Sequence, residues 1–171
     1  MGYRIGQGVD FHQLAPGRKL MLGGVEVPHH SGAVGHSDAD VVLHAICDAL
    51  LGALALGDIG THFPDTDVRF KGIDSKELLQ ETVALIRTKN YAVVNIDSTL
   101  CLQEPKIKPY VPQMQEAIAA ICGIGTDAVS IKATTTEQMG FVGRKEGVVA
   151  YATALLHPGP RHGGERNGVN L

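Results

Sequence analysis

Apolar and polar positions switch period several times along this chain, and the switches mark its elements. Residues 3–12, Tyr-Arg-Ile-Gly-Gln-Gly-Val-Asp-Phe-His, read as a strand, which puts Asp10 and His12 on the same side of it. A Pro-Gly loop then leads to residues 19–27, where Gly23-Gly24 suggests a hairpin. Residues 28–38, rich in His, Ser and Gly, read as a loop. From Asp40 to Leu56 nearly every position is apolar except Asp40, His44 and Asp48. These three recur at i, i+4 and i+8, so they stack on one face of an otherwise buried helix. Ser37 can cap that helix and Gly57 can end it. Residues 58–67 form an irregular segment full of turn formers. Asp74-Ser-Lys-Glu77 resembles a capping box and opens an amphipathic helix through Leu78, Leu79, Val83 and Ile86, stopped near Asn90.

The second half alternates more strictly. Over residues 91–102, Val94, Ile96, Leu100 and Leu102 face one way and Asn95, Asp97 and Thr99 the other, the mark of a half-buried strand. Pro112 suits the first turn of a helix carrying Met114, Ile118 and Ile121, ended by Gly123. Residues 129–135 and 148–156 supply two more strands. This order predicts an α/β (α+β) fold, a sheet covered on one face by helices. Residues 1–157 make a single domain, and 158–171, with almost no apolar content, read as a disordered tail. Gly6-x-Gly8 lacks the third glycine of a dinucleotide fingerprint, and a strand runs through it, so that reading is rejected.

Composition narrows the function classes. The 171 residues carry a net charge of −3 and only 5% aromatic side chains, with no run of Lys and Arg, which argues against a nucleic-acid partner. No apolar run approaches membrane-spanning length. Cys47, Cys101 and Cys122 are odd in number and far apart, so free thiols in a reducing compartment explain them better than disulfides. A cytoplasmic enzyme is the simplest placement.

Asp10, His12 and His44 form an acid-plus-two-imidazole set suited to zinc with one position open for substrate. Asp40 and Asp48, flanking His44, could fix its ring orientation. A metal-free salt-bridge cluster is the alternative. Other segments add candidate chemistry. His36-Ser37 precedes the helix, and Asp65-Thr-Asp67 could chelate a hard cation or hold sugar hydroxyls. Pro105-Lys-Ile-Lys108 offers two cations to phosphates, and Gly140–Gly147 displays Arg144. Ala133-Thr-Thr-Thr-Glu137 places three hydroxyls and a carboxylate where phosphate oxygens and magnesium could bind. Together these suit a polyphosphate substrate.

The ordered motifs Gly8-Val-Asp-Phe-His12, His36-Ser-Asp-Ala-Asp-Val-Val-Leu-His44, Leu56-Gly-Asp-Ile-Gly60, Phe63-Pro-Asp-Thr-Asp67, Phe70-Lys-Gly-Ile-Asp-Ser75, Lys132-Ala-Thr-Thr-Thr-Glu137 and Gly140-Phe-x-Gly-Arg-x-Glu-Gly147 resemble the 2-C-methyl-D-erythritol 2,4-cyclodiphosphate synthase family over residues 3–157. The resemblance implies a four-stranded mixed sheet with helices on one face, three sheets facing a three-fold axis in a homotrimer, and active sites between subunits. It implies conversion of 4-diphosphocytidyl-2-C-methyl-D-erythritol 2-phosphate to the cyclic diphosphate with release of CMP, in non-mevalonate isoprenoid synthesis. Asp10, His12 and His44 would hold zinc; Glu137 would help hold a second cation, magnesium or manganese. His36 and Thr135 would stabilise the transition state. The segments Asp58, Ile59, Gly60 and Phe63, Pro64, Asp65, Thr66, Asp67 would hold the methylerythritol part, beside Phe11 and Ser37. Leu102, Gln103, Glu104, Pro105, Lys106, Ile107 and Lys108, with Ala133, Thr134, Thr135 and Thr136, would form the neighbour's cytidine and phosphate pocket. Phe141 and Arg144 would make later substrate contacts. Arg144 and Glu146 would also lie near an axial cavity for an isoprenoid diphosphate. Two competing readings are a zinc phosphohydrolase, which would transfer the phosphoryl group to water, and a non-catalytic trimer holding a polyprenyl phosphate.

Overall fold

The computed structural model describes residues 2–159, so from residue 160 on the predicted tail lies outside the described residues. In chain order the strands are β1 (Arg4–Pro16), β2 (Leu20–Leu22), β3 (Val25–Val27), β4 (Ser31–Ala33), β5 (Tyr91–Cys101), β6 (Val129–Thr134) and β7 (Gly147–Pro158). The helices are α1 (Val41–Ala53), α2 (Ile59–His62), α3 (Ser75–Thr88), α4 (Val111–Cys122) and α5 (Gly140–Gly143). A mixed sheet runs β4-β1-β7-β5-β6, with β5 and β6 parallel and every other pair antiparallel. β2 and β3 form the separate hairpin that Gly23-Gly24 predicts, with both glycines at positive φ, 60° and 80°.

The sheet has five strands where four were expected. The extra one, β4, lies inside the presumed loop and pairs only three residues, Ser31 to Ala33, with the end of β1. Ser-Gly-Ala is too short to show a period. β1 also runs past residue 12 to Pro16. A second correction concerns β5: a register shift between Val93 and Asn95 breaks the alternation, so Val93, not Val94, is buried on the side of Ile96.

α1 is shorter at both ends than predicted. Its cap is Asp40 rather than Ser37, and Asp40 accepts from the amides of Val42 and Leu43. It ends at Leu54, where the Leu56 amide bonds to the Leu51 carbonyl and the Ala55 amide to that of Gly52. That is a Schellman closure with Ala55 (φ 56°) where glycine is usual. The predicted caps at Asp74 and Gly123 are present, the latter at φ 72°.

α1 lies across β1 and β7, with α3 beside it, and the core fills the space between helices and sheet. Ile46, Leu50, Leu79, Ile96, Leu100 and Met114 are among its fully buried side chains. Cys47, Cys101 and Cys122 are free thiols, with burial pushing Cys47 and Cys122 up to about 12. The other sheet face leaves Tyr3 and Ile5 71% exposed, with Val9, Phe11 and Tyr151 also open. No helix among the described residues is long and apolar enough to cross a membrane.

Candidate active site

β1 and α1 touch because two glycines remove side chains between them. A Cβ on Gly8 would lie 2.0 Å from the Ala45 carbonyl oxygen, and one on Gly6 would lie 1.9 Å from that of Ala49. This is what Gly6-x-Gly8 does: it allows a backbone contact that any Cβ would forbid. Asp10 and His12 follow on the same face of β1, and His44 precedes Ala45 on α1. The close approach therefore carries all three side chains to one point.

Asp10 Oδ2 lies 3.0 Å from His12 Nε2 and 3.0 Å from His44 Nδ1, and the two nitrogens are 3.1 Å apart. Each ring is tied on its far side. His12 Nδ1 lies 3.0 Å from the Val34 carbonyl, to which it can only donate. His44 Nε2 lies 2.9 Å from Ser75 Oγ and 3.1 Å from Ser37 Oγ, and the Ser75 hydroxyl is itself short-bonded to the Asp38 carboxylate. With Ser75 donating to Asp38, it accepts from His44 Nε2. Both outer nitrogens thus carry a proton, so His12 Nε2 and His44 Nδ1 donate to Asp10 only when their rings are charged and, in the neutral rings, are the atoms left to ligate an ion. The near-equilateral spacing is close to the roughly 3.3 Å between ligands on a tetrahedral zinc with bonds of about 2.0–2.1 Å. The residues fit a zinc-class ion, and His12 and His44 also line a cavity.

Electrostatics agree. Burial pushes the Asp10 carboxyl up, but the hydrogen bonds and charges of His12 and His44 outweigh it and hold Asp10 well below the usual carboxylate range. Burial pushes His12 down, and Asp10 with the Val34 carbonyl outweighs it, leaving His12 raised.

Asp40 and Asp48 do not flank the His44 ring as expected. Asp40, fully buried, accepts from the amides of Gly23 (2.8 Å) and Gly24 (2.6 Å) as well as capping α1. Asp48 accepts from the Ile59 amide at 2.7 Å. Each meets backbone donors nearer than the imidazole.

The triad opens on a cavity of about 410 Å³ that brings together His12, His44, His36, Ser37, Ile59, Gly60, Phe63, Pro64 and Asp65. Phe70, Ile73 and Leu78 also line it, and composition gave no signal for them. Three expected members are turned to other work or lie outside the lining. Asp58 caps α2 through Thr61, Asp67 holds the Arg69 guanidinium at 2.6–2.9 Å, and Thr66 sits between segments that do line it. Phe11 points from the opposite face of β1, its ring 6.2 Å from that of Phe141.

A second cavity, about 590 Å³, lies at the other end of the sheet against β6. Leu102, Gln103, Pro105, Lys106, Ile107, Lys108, Ala133, Thr134 and Thr135 line it, with Val111, Pro112 and Ile131. Glu104 is not in that lining; it pairs with Lys145 at 2.7 Å. Thr136 donates to the Met139 carbonyl, and Thr135 donates to Glu137 at 2.9 Å. Glu137 and Gln138 hold positive φ, 51° and 65°, in this exposed turn. Arg144 grips Glu146 through two 3.0 Å bonds. Glu137 belongs to no acid–imidazole cluster among the described residues, and Asp10, His12 and His44 gather without it.

The model of the YgbB family matches residues 3–157, which is nearly all of what the structure describes. The chain belongs to the YgbB family. A Bacteroides thetaiotaomicron protein named 2-C-methyl-D-erythritol 2,4-cyclodiphosphate synthase is 58% identical over 156 residues, 91% of this chain and 98% of that protein. Among solved structures, a Plasmodium falciparum IspF described as a CDP complex superposes with a TM-score of 0.82 at 34% identity, covering 93% of this chain and 98% of that one. The bifunctional IspDF of Campylobacter jejuni superposes at 0.88 with 40% identity; 91% of this chain is covered, but only 42% of that longer one. In this YgbB-family chain the residue that sequence reasoning missed most plainly is Ser75. It sat inside a quoted motif, yet as the first residue after a helix cap it carried no sign that its hydroxyl reaches His44.

Proposed function

We propose that this YgbB-family chain is a 2-C-methyl-D-erythritol 2,4-cyclodiphosphate synthase. It converts 4-diphosphocytidyl-2-C-methyl-D-erythritol 2-phosphate into the cyclic diphosphate and releases CMP, a step of non-mevalonate isoprenoid synthesis. The observation that carries the reading is the Asp10–His12–His44 triangle beside a cavity in a chain that matches this family over residues 3–157.

The reaction brings the substrate's own 2-phosphate against the β-phosphorus of its diphosphate. Two unit charges at 4 Å repel by about 4 kcal/mol at an effective dielectric of 20, and phosphates carry more than one. Zinc held by Asp10, His12 and His44 would supply Lewis-acid charge neutralisation for a phosphate. No external base is required, because the nucleophile is already ionised. The chain's task is alignment. His36 and Ser37 stand beside the triad, and Ile59, Gly60 and Phe63 to Asp65 wall a space for the methylerythritol part. Lys106 and Lys108 supply positive charge at the other cavity, suited to phosphates and a cytidine. We assign Thr135 to stabilising charge at the diphosphate and Glu137 to helping hold a second cation, magnesium or manganese.

Within one chain these cavities are far apart: β1 and β6 are three strand spacings from one another, about 14 Å. A substrate touching both sets of residues fits better between two copies. The exposed apolar sheet face, with Tyr3, Ile5 and Tyr151, supports a homotrimer that packs these faces about a three-fold axis. A cavity on that axis near Arg144 and Glu146 would accept an isoprenoid diphosphate. The three free thiols support a cytoplasmic enzyme.

Product analysis tests the reading. Purified chain given the cytidyl substrate should yield CMP and the cyclic diphosphate, and His44→Ala should abolish both along with the zinc held at the triad. An acyclic phosphate with CMP would make it a hydrolase instead, and full turnover by His44→Ala would remove the triad from the reaction.

A further inference from the structure

Among the described residues one other set of side chains can share an ion. His29, His30 and Glu104 present ligand atoms that all lie within 4.8 Å of one another. They come from two segments distant in sequence. His29 and His30 follow β3 and lead into β4, while Glu104 belongs to the loop between β5 and α4. The two imidazoles lie 4.1 Å apart, centroid to centroid. Neither belongs to the cavities or triad described above.

We propose that His29, His30 and Glu104 form a second metal site, for zinc or an ion of similar borderline character, that pins the Gln103–Lys108 loop to the segment entering β4. Two imidazoles and a carboxylate are the donor set that such ions favour over magnesium or calcium. Closing the ligand atoms from within 4.8 Å to the roughly 3.3 Å edge of a tetrahedral site asks only for side-chain rotation. The carboxylate is already anchored, since Lys145 holds it at 2.7 Å. The loop so pinned carries Gln103, Pro105, Lys106 and Lys108 of the larger cavity. Any effect on nucleotide binding there rests on the function proposed above; the site itself does not.

The test counts zinc. Metal-free wild type and the double variant His29→Gln/His30→Gln are equilibrated with excess Zn²⁺, desalted and analysed for metal per chain. The wild type should hold two zinc ions and the double variant one, whether or not the chain releases CMP. His44→Ala should also hold one, from the other site. Two ions in the double variant, or one in the wild type, would overturn the proposal. Both substituted histidines lie outside the core, so an unchanged melting temperature of the metal-free double variant is expected and verifies its fold. Hydrogen exchange over residues 102–108 should slow several-fold when the second equivalent of zinc is added to wild type. Unchanged exchange there would refute the pinning.

Discussion

Gly8→Ala tests the contact on which the triad depends. The new Cβ would lie 2.0 Å from the Ala45 oxygen, 2.7 Å from the Ala49 nitrogen and 2.8 Å from the Asp48 Cβ. Carbon and oxygen do not approach below 3.0 Å in real structures, so α1 must retreat by at least about 1 Å. Two of the three clashes are with backbone, and no side-chain rotation relieves them. His44 precedes Ala45 and travels with the helix. Metal sites tolerate only about 0.2 Å of error in ligand distance, so a shift of this size pulls His44 Nδ1 away from Asp10 and His12. Overpacking of this kind costs about 1–3 kcal/mol, which in a domain of this size lowers Tm by about 3–10 °C. Zinc affinity should fall by about 100-fold or more, beyond the loss expected from removing one ring-orienting hydrogen bond. Calorimetry of the metal-free protein and zinc titration against a competing chelator measure the two effects separately. Gly52→Ala is the control. It lies on the exposed side of α1, with its nearest neighbour, Gln7 O, at 3.8 Å. It should gain about 0.5–1 kcal/mol from helix propensity and keep zinc affinity. A Gly8→Ala protein with wild-type Tm and zinc binding would refute the close approach and the account of the triad built on it.

Three further outcomes follow from the same geometry. Ser75→Ala removes the hydroxyl 2.9 Å from His44 Nε2 and should weaken zinc by about 10–100-fold while the fold melts near its normal temperature; undiminished affinity would show that Ser75 does not orient the ring. His12 has a folded pKa above its unfolded value near 6.5, so the charged Asp10–His12 pair stabilises the metal-free protein fully below about pH 6.5 and is lost as pH rises through the folded value. Zinc displaces that proton, so its affinity should climb with pH across the same window, and a flat titration between pH 6 and 8 would contradict the assignment. Ala55→Gly should raise stability by about 1 kcal/mol by relieving the left-handed φ of 56° after α1, read as a shift in urea midpoint; a loss of stability would show that the Ala55 methyl packs usefully.

How much of this was legible in the sequence differs between faces and partners. Period two put Asp10 and His12 on one side of β1, and period 3.6 put His44 on the polar face of α1. Both held, because each depends on a local repeat that packing does not alter. The Gly23-Gly24 hairpin and the Gly123 cap were readable for the same reason: only a few residue types hold positive φ without strain. β4 was not readable, since three residues carry no period. The Val93–Asn95 shift was hidden too, because an inserted residue breaks the very alternation used to detect it.

Partners obey a different rule. Asp40, His44 and Asp48 share a helical face, yet that shared face did not determine what they bond. A carboxylate in a dry interior takes the nearest donors that cannot otherwise be satisfied, and backbone amides have the strongest claim. Asp40 therefore went to Gly23 and Gly24 and to the head of its own helix, and Asp48 to Ile59. The groups that orient His44 came instead as two serine hydroxyls, Ser37 just ahead of α1 and, 31 residues away on α3, Ser75 backed by Asp38. This exchange has a chemical consequence. A carboxylate against His44 Nε2 would have made the imidazole a stronger donor to metal and added a negative charge beside the incoming phosphate. A serine hydroxyl fixes the same tautomer with no charge of its own at the ring, and Asp38 stands one bond further back. A site that must draw two anions together is better served by that neutral relay than by the flanking acids that helical spacing alone suggests.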